Sequence, residues 1–464
     1  MSRPSPVRML RATRVGVLLL ASLLAGSARA TPPPRDVALR AALDAVLACE
    51  RPDGGWSYTC TPSPDGAVTK IVVRAQQVAA LLGIAPWDLL VIRSPGTPAG
   101  GLVLLEGWRR TGDERDLAGA RRAGDALVAT QLASGGWASE MPVYGTRLAR
   151  WFRWLNRWTA LDDDVTSGAA RFLIELWAAT GEPAYRASAE RAFDLLREAQ
   201  LDGGAWPLTL REPRWLRVVS PSFEDLPSTN DAATAGPILA LLEGARLLGR
   251  DDLRAAAMRG GDWLLRAQGA APQPAWAQQY SEDGTPAPGR RFEPAGYASW
   301  ETREMLSALL VLARATGEQR YRDAVGPGAA WLARSAIAPN CWARLYEPGS
   351  NAPLYVARDG RRVASADEAK RPYKWTGDYG IPALLARLER DAARPSDGAA
   401  RSSGTDAAAA RPPERLFGDA GHCPQEAPHA DEAAELPGEP ANPRARIARA
   451  ARILAADPGP QSWN

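Results

Sequence analysis

A unit of roughly 70 to 80 residues recurs along this chain and limits the folds open to it. In each copy a helical segment ends in Gln or Cys-Glu, a glycine turn follows, and a tryptophan closes the turn. The clearest copies end at Trp56, Trp137, Trp206 and Trp276, and weaker ones end at Trp342 and Trp375. A unit of this length accommodates two helices and their connections, so the sequence predicts a series of helical hairpins.

Hydrophobic periodicity supports the helices. Between residues 184 and 200, Tyr185, Phe193 and Leu196 fall on one stripe of a 3.6-residue period, whereas Glu190 and Arg191 lie off it. Glycine recurs where the first helix of each hairpin should end, as is typical of helix C-termini. These glycines are Gly112, Gly181, Gly249 and Gly317.

The connections between helices are of two unequal kinds. One set consists of short Thr-Gly-acid or Leu-Gly turns, and the other is long, aromatic and rich in arginine. Almost no stretch alternates with the period of a strand. The sequence therefore predicts an all-α fold, an α/α toroid in which hairpins form an incomplete barrel with long loops on one face. We expect a binding site on that face.

The two ends of the chain differ from the repeats. Residues 1–30 combine arginines, the apolar run Val15–Ala25 and an Ala-Arg-Ala end, the three parts of a signal peptide, and the run is too short to span a bilayer. We expect a secreted or periplasmic monomer without membrane association after cleavage, with its catalytic toroid in residues 31–395. Residues 396–464 predict a disordered, low-complexity tail, in which Arg444–Leu454 forms at most a short isolated helix.

Composition narrows the chemistry. The formal net charge is +3, and loss of residues 1–30, which hold five Arg and no acid, would leave −2, so nucleic-acid binding is not expected. The two histidines, His422 and His429, lie near the end, which excludes histidine-dependent catalysis in the body of the chain. Carboxylates, arginines and oxygen-binding metals such as calcium remain. Of three possible disulfide pairings, we expect Cys49 with Cys60.

One loop between two predicted helices has the residues for binding an acidic sugar. Trp276 and Tyr280 offer aromatic faces, Gln279 offers neutral hydrogen bonds, and Arg291 supplies a cation beside Glu293. The alternative is an ordinary packed loop, which these residues alone do not exclude. An aromatic strip at residues 151–158 has the same two interpretations.

Acidic residues precede the first helix of two successive hairpins. They are the run Asp162–Asp164 and, about 70 residues later, Asp231. A simple interpretation is helix capping, which stabilises a helix by up to about 1 kcal/mol per residue. The other is a cation site, because adjacent carboxylates repel each other unless a metal neutralises them. In a toroid, Asp164 and Asp231 would face the same opening.

These motifs together resemble a known family. The set Asp162-Asp-Asp-Val-Thr166, Asn230-Asp231, Trp276-Ala-Gln-Gln-Tyr280, Arg291-Phe-Glu293, Trp342-Ala-Arg-Leu-Tyr346 and Arg358-Asp-Gly360 occurs in the order and approximate spacing of the pectic-acid lyases of polysaccharide lyase family ten. The resemblance implies an α/α toroid that cleaves polygalacturonate, an acidic polysaccharide, by calcium-assisted β-elimination.

The resemblance also implies residue roles. Asp162, Asp164 and Asp231 would serve a site for Ca²⁺ and the substrate carboxylate, Arg291 and Arg358 would bind uronate carboxylates, and Arg344 would take the proton from C5. Other classes stay open from the residues alone. They are a triterpene cyclase, a six-hairpin glycoside hydrolase with paired carboxylates, and a secreted toroid that binds acidic polysaccharide without catalysis.

Overall fold

The computed structural model describes residues 35–58, 60, 89–142, 158–211, 216–370, 373–393 and 442–456. The predicted signal peptide, most of the aromatic strip at 151–158 and most of the predicted tail lie outside these residues. None of the described helices combines the length and apolarity needed to cross a membrane.

The described chain is mainly helical, and most helices pair as antiparallel hairpins. The helices are α1 (Arg35–Leu47), α2 (Thr97–Thr111), α3 (Glu114–Thr130), α4 (Val165–Thr180), α5 (Pro183–Ala199), α6 (Leu216–Val219), α7 (Ala235–Leu248), α8 (Asp251–Ala267), α9 (Ser299–Thr316), α10 (Gln319–Asp323), α11 (Val325–Arg334), α12 (Ala366–Ala369), α13 (Ile381–Ala393) and α14 (Pro443–Ala456).

The hairpins form two layers around an axis. The first helices of successive hairpins, α2, α4, α7 and α9, contact one another in that order, and α13 continues the row beside α9. The second helices, α3, α5 and α8, pack outside them. The inner helices α4, α7 and α9 are buried on most of their surface. The predicted α/α toroid is therefore confirmed.

Glycine ends the inner helices as the sequence predicts. Gly112, Gly181, Gly249 and Gly317 all adopt the left-handed conformation, with φ between 67° and 76°. Glycine takes this conformation without steric cost, so the chain turns sharply into the outer helix. These connections form the short-turn face of the ring.

Short strands build the opposite face. They are β1 (Leu89–Val91), β2 (Glu140–Pro142), β3 (Trp158–Ala160), β4 (Thr209–Arg211), β5 (Tyr297–Ala298), β6 (Trp342–Ala343), β7 (Leu345–Tyr346), β8 (Pro353–Val356), β9 (Arg362–Val363) and β10 (Thr376–Gly377). The strands form three separate antiparallel pairs, β1–β2, β3–β4 and β6–β10, and one four-stranded sheet of order β5-β7-β8-β9. Asp359 and Gly360 lie in the turn between the paired strands β8 and β9.

The recurring tryptophans connect each loop to two helices. Their indole N–H groups donate to carbonyls near the end of the preceding outer helix, at 3.0 Å for Trp56 and Trp137, 2.6 Å for Trp206 and 2.9 Å for Trp276. Their backbone N–H groups donate to a threonine Oγ1 that opens the next inner helix. These threonines are Thr97, Thr166, Thr234 and Thr302. Trp342 keeps the indole contact, whereas Trp375 donates to Lys370 instead.

The recurring glutamines are explained by a second contact. Gln131 Nε2 donates to the carbonyl of Gly135 in its own turn and to that of Ser188 in the next outer helix, at 2.6 and 2.9 Å. Gln200 does the same one unit later. The amide thus ties neighbouring hairpins together. Cys49 and Cys60 form the predicted disulfide across the first turn.

The prediction that the tail helix stands isolated is wrong. Helix α14 packs along α1 and against α2, in the place of an inner helix for the first hairpin. Ile447 and Ala450 are fully buried there. Its apolar stripe was visible in the sequence, but the long, polar intervening segment concealed that the helix returns to the ring.

Removing the buried stripe of α14 should destabilise the whole toroid. We expect Ile447→Ala to lower the free energy of unfolding by about 2–5 kcal/mol, because the cavity lies between α14 and α1. Arg449→Ala, at an exposed position of the same helix, should change it by less than about 0.5 kcal/mol. Denaturant unfolding followed by circular dichroism measures both, and equal values for the two variants would contradict this packing.

Candidate active site

Trp276 and Tyr280 are core residues, which overturns their predicted role in sugar binding. Both side chains are fully buried. Tyr280 Oη donates to the carbonyl of Ala267 at 3.1 Å, and its ring packs edge-on against Trp263. A ring enclosed in this way has no free face for a sugar, so the alternative of a packed loop is correct for these two residues.

Gln279 lies in the same loop but differs from its neighbours. Its side chain is 1% exposed, and neither amide atom has a hydrogen-bond partner among the described residues. It lies against Gly289, where an added Cβ would come within 2.8 Å of Nε2. An unpaired buried amide is costly. The binding role of Gln279 therefore stays a prediction.

The two acidic turns adopt an unusual backbone conformation. Asp163 and Asp164 have φ values of 50° and 55°, and Asp231 and Ala232 have values of 47° and 60°. Left-handed pairs of non-glycine residues cost about 1 kcal/mol or more per residue and concentrate at functional sites. The backbone N–H of Asp163 donates to the carbonyl of Asp231 at 2.6 Å, so the turns are directly joined.

This geometry corrects the predicted correspondence between the acids of the two turns. Asp163, not Asp164, is the counterpart of Asp231, because each is the first residue of its left-handed pair. The Asp164 side chain is 11% exposed and turns towards α4, with Oδ2 3.9 Å from Arg171 Nη1. An added Cβ at Gly168 would lie 3.0 Å from the same oxygen.

Electrostatic interactions join Asp162, Asp163 and Asp231. Burial raises the pKa of Asp162 well above its usual range, and the negative charges of Asp163 and Asp231 raise it further. Arg290 and Arg93 oppose that rise. The face of the ring that carries the short strands, called the rim below, thus holds several carboxylates close enough to repel one another. Guanidinium groups lie beside them.

Arg344 lies on the same rim, between β6 and β7. Its Nη2 donates to Glu301 Oε1 at 2.8 Å, and its guanidinium lies 4.5 Å from the ring centroid of Tyr373 and 5.2 Å from that of Trp300. Burial by itself lowers the pKa of Arg344, but Glu301, Tyr373 and Asp231 outweigh it and raise the pKa. The charge of Asp231, in the second acidic turn, therefore acts on Arg344.

A buried polar cluster supports Arg344. Gln278 Nε2 donates both to Asn230 Oδ1 at 3.0 Å and to Glu301 Oε1 at 2.9 Å. Asn230 immediately precedes Asp231, so this chain of contacts connects the second acidic turn to the arginine. Among the described residues, four buried atoms of the cluster lack a hydrogen-bond partner. They are Asn230 Nδ2, Gln278 Oε1, Glu301 Oε2 and Arg344 Nε.

The structure brings Arg290, the neighbour of the predicted Arg291, close to the acidic turns. Arg290 Nη1 donates to Glu293 Oε1 at 2.7 Å, and its pKa is raised by Glu293, Tyr373 and Asp231 against the lowering effect of burial. Arg291 is exposed and packs against Gly360. Arg358 is also exposed, in the β8–β9 turn. The roles of Arg291 and Arg358 stay predictions.

Sequence reasoning missed Glu301 and Tyr373 as well as Arg290. Glu301 lies in the first turn of α9, where an acid is ordinarily a helix-stabilising residue, and it gave no separate signal. Tyr373 lies among aromatic residues that resemble core positions. The Arg290-Arg291 pair was visible, but the turn alone determines which of two adjacent side chains faces Asp231.

The carboxylates fit part of a calcium shell. Calcium takes about six to eight oxygen ligands, and a cation would relieve the repulsion among Asp162, Asp163 and Asp231. In the part of the chain that the structure describes, no three His, Cys, Asp or Glu side chains are gathered closely enough to hold a metal by themselves. Oxygens from substrate or water would have to complete the shell.

Residues 153–339, less than half of the chain, match the family described as Pectic acid lyase. The matched segment includes both acidic turns and ends shortly before Arg344. No curated protein sequence matches.

Several solved structures are similar in fold. A mutant of the family 10 polysaccharide lyase from Cellvibrio cellulosa, in complex with trigalaturonic acid, is 19% identical with a TM-score of 0.48, over 64% of this chain and 98% of that one. A D-mannose isomerase is 13% identical with a TM-score of 0.48, over 68% and 76%. Cellobiose 2-epimerase from Bacillus thermoamylovorans is 10% identical with a TM-score of 0.48, over 76% and 98%.

Over residues 153–339 this chain is similar to the pectic-acid lyases, which are a class of polysaccharide lyase. The predicted resemblance to the pectic-acid lyases is confirmed over these residues.

Trp276→Ala should act on stability, because the indole is enclosed in the core. We expect a loss of about 3–5 kcal/mol in the free energy of unfolding. Trp158→Ala is the control, since that side chain is 45% exposed, and it should cost far less. Denaturant unfolding of both variants gives the comparison. A Trp276 variant as stable as the control would contradict the burial of Trp276 in the core.

The raised pKa of Asp162 predicts a pH effect on stability. The folded state holds the proton more tightly than the unfolded chain, so this contribution is largest below the unfolded pKa of about 3.9 and declines as pH rises from there towards the folded pKa. Without divalent cations, Asp162→Asn should therefore be more stable than the unaltered protein at neutral pH. The difference should shrink on acidification.

Thermal unfolding across pH in the presence of a chelator measures this effect. Asp202→Asn, at an exposed carboxylate on another turn, is the control and should change little. A stabilisation by Asp162→Asn that grows towards acid pH would contradict the assignment.

Proposed function

We propose that this protein is a secreted pectate lyase, which cleaves polygalacturonate by calcium-assisted β-elimination with Arg344 as the base. The observation that carries the proposal is the chain of hydrogen bonds that joins both acidic turns to Arg344. Asp163 donates to Asp231, and the adjacent Asn230 is connected to Arg344 through Gln278 and Glu301. Most of these residues lie within the segment that matches the pectic-acid lyases. Secretion rests on the signal-peptide pattern of residues 1–30.

In this proposal, Asp162, Asp163 and Asp231 contribute carboxylate oxygens to a metal shell that substrate or water oxygens complete. Asp164 is left out because it turns towards Arg171. A bound Ca²⁺ would supply positive charge that acidifies the C–H beside the uronate carboxylate and lowers the pKa of the nearby guanidinium. Both effects favour removal of the C5 proton.

Arg290 and Arg344 would orient the substrate. Each presents a guanidinium near Asp231, and guanidinium groups bind carboxylates in a fixed, two-pronged geometry. Glu301 and the aromatic rings of Trp300 and Tyr373 hold Arg344 in place. A held side chain loses little conformational freedom when the sugar binds, and this favours reaction at the aligned C5.

The anions around Arg344 oppose its action as a base, because they stabilise the protonated guanidinium. Glu301, Tyr373 and Asp231 raise its pKa in the protein alone, so the proton-accepting form is scarce. General-base catalysis then requires positive charge near Asp231. Activity should for this reason depend steeply on the cation.

The proposal is tested by following unsaturated product in the ultraviolet. We expect turnover of polygalacturonate with calcium, loss of turnover with chelator, and recovery when calcium is restored. Arg344→Ala should lower kcat about 10²–10⁴-fold, the contribution of a positioned general base. Arg322→Ala, at an exposed arginine of α10, should keep the full rate.

Circular dichroism of each variant confirms that the helices remain. New reducing ends without unsaturated product would indicate hydrolysis and overturn the elimination. An Arg344→Ala variant with normal turnover would remove Arg344 from the base role. Full activity in the presence of chelator would exclude a role for the metal in the reaction.

A further inference from the structure

A second cluster of charged side chains lies on the same rim, at the first hairpin. Arg93 follows β1, and Arg444 lies in the first turn of α14. Arg444 Nη2 donates to the carbonyl of Ser94 at 2.5 Å, so the two arginines lie side by side although they are far apart in the chain. Neither residue belongs to the segment that matches the lyase family.

The cluster continues the row of acidic turns. The backbone N–H of Ser94 donates to the carbonyl of Asp163 at 3.0 Å, and that of Asp163 donates to Asp231. Ser94, Asp163 and Asp231 therefore mark successive hairpins along one rim. Arg93 and Arg444 stand one hairpin before the acids that would hold the substrate at the cleaved bond.

Two cations are gathered here against their mutual repulsion. Burial lowers the pKa of Arg444, and the charge of Arg93 lowers it further. Asp163 Oδ2 lies 3.2 Å from Arg93 Nη2, and Glu140 Oε1 lies 3.8 Å from Arg93 Nη1. Neither Nε of the two arginines has a hydrogen-bond partner among the described residues. Asp163 and Glu140 already raise the pKa of Arg93, so an additional carboxylate would act mainly on Arg444.

Both arginines are half-buried. The Arg93 side chain is 27% exposed and that of Asp163 is 29% exposed, whereas Glu140 is 3% exposed. Helix α14 thus does more than complete the first hairpin, because it brings a guanidinium to an accessible rim. Arginine is the side chain best suited to bind a carboxylate there.

We propose that Arg93 and Arg444 form a further carboxylate-binding subsite, which takes a uronate of the polysaccharide outside the two sugars at the cleaved bond. This inference rests on the proposed function. A polyuronate carries one carboxylate on every sugar, so a chain that lies along the rim meets this pair and the acidic turns together. Contacts at the two places then act jointly on one polymer.

The test compares binding and turnover in the full-length protein. In Arg444→Gln, we expect affinity for polygalacturonate in calorimetry to fall about tenfold, the loss of one charge-assisted hydrogen bond. The KM for the polymer should rise with kcat little changed, and a short oligogalacturonate that spans only the cleaved bond should be unaffected. Arg444→Lys, which keeps the positive charge, should retain most of the affinity.

Arg449→Gln, on an exposed part of the same helix, is the matched control and should bind normally. Unchanged affinity in Arg444→Gln overturns the subsite, and so does lower thermal stability without lower affinity, which would make the cluster a structural network. Unaltered protein that binds the polymer but yields no unsaturated product would overturn the lyase proposal while leaving the binding comparison readable. Equal affinity for neutral galactan would overturn carboxylate recognition.

Discussion

The double hydrogen bond of the recurring tryptophans holds this toroid together. Each indole N–H is tied to the end of one outer helix, and the backbone N–H of the same residue is tied to a threonine at the start of the next inner helix. Because the indole is buried, neither contact competes with water. The loop between them therefore starts from a fixed position, and this is what allows residues from different hairpins to meet at one rim.

The rigid rim holds side chains and turns in an arrangement that is energetically unfavourable by itself. Two left-handed turns without glycine lie side by side, Asp162 is raised in pKa by neighbouring acids, and Arg344 is enclosed with unpaired polar atoms. Each feature costs free energy that the helical core offsets. A bound cation and a polyanionic chain would relieve several of these costs together, which is the expected behaviour of a preorganised site.

The C-terminal helix changes how the chain is divided. A toroid that ended near residue 395 would leave α1 and α2 without α14, and its first hairpin would be incomplete. The same helix supplies Arg444 to the rim. Stability and the extent of the binding groove are therefore linked through one short element at the end of the chain.

The sequence by itself determined the local features of this protein. The hairpins, the glycine turns, the Cys49–Cys60 disulfide and the acidic turns follow from periodicity, capping and turn chemistry, which act over a few residues. Only the tertiary structure decided which side of each loop is buried. It enclosed Trp276 and Tyr280, paired Asp163 with Asp231, brought Arg290 close to the acidic turns and returned α14 to the ring. Such choices depend on packing between hairpins, and no local pattern encodes the direction in which a side chain meets its neighbours.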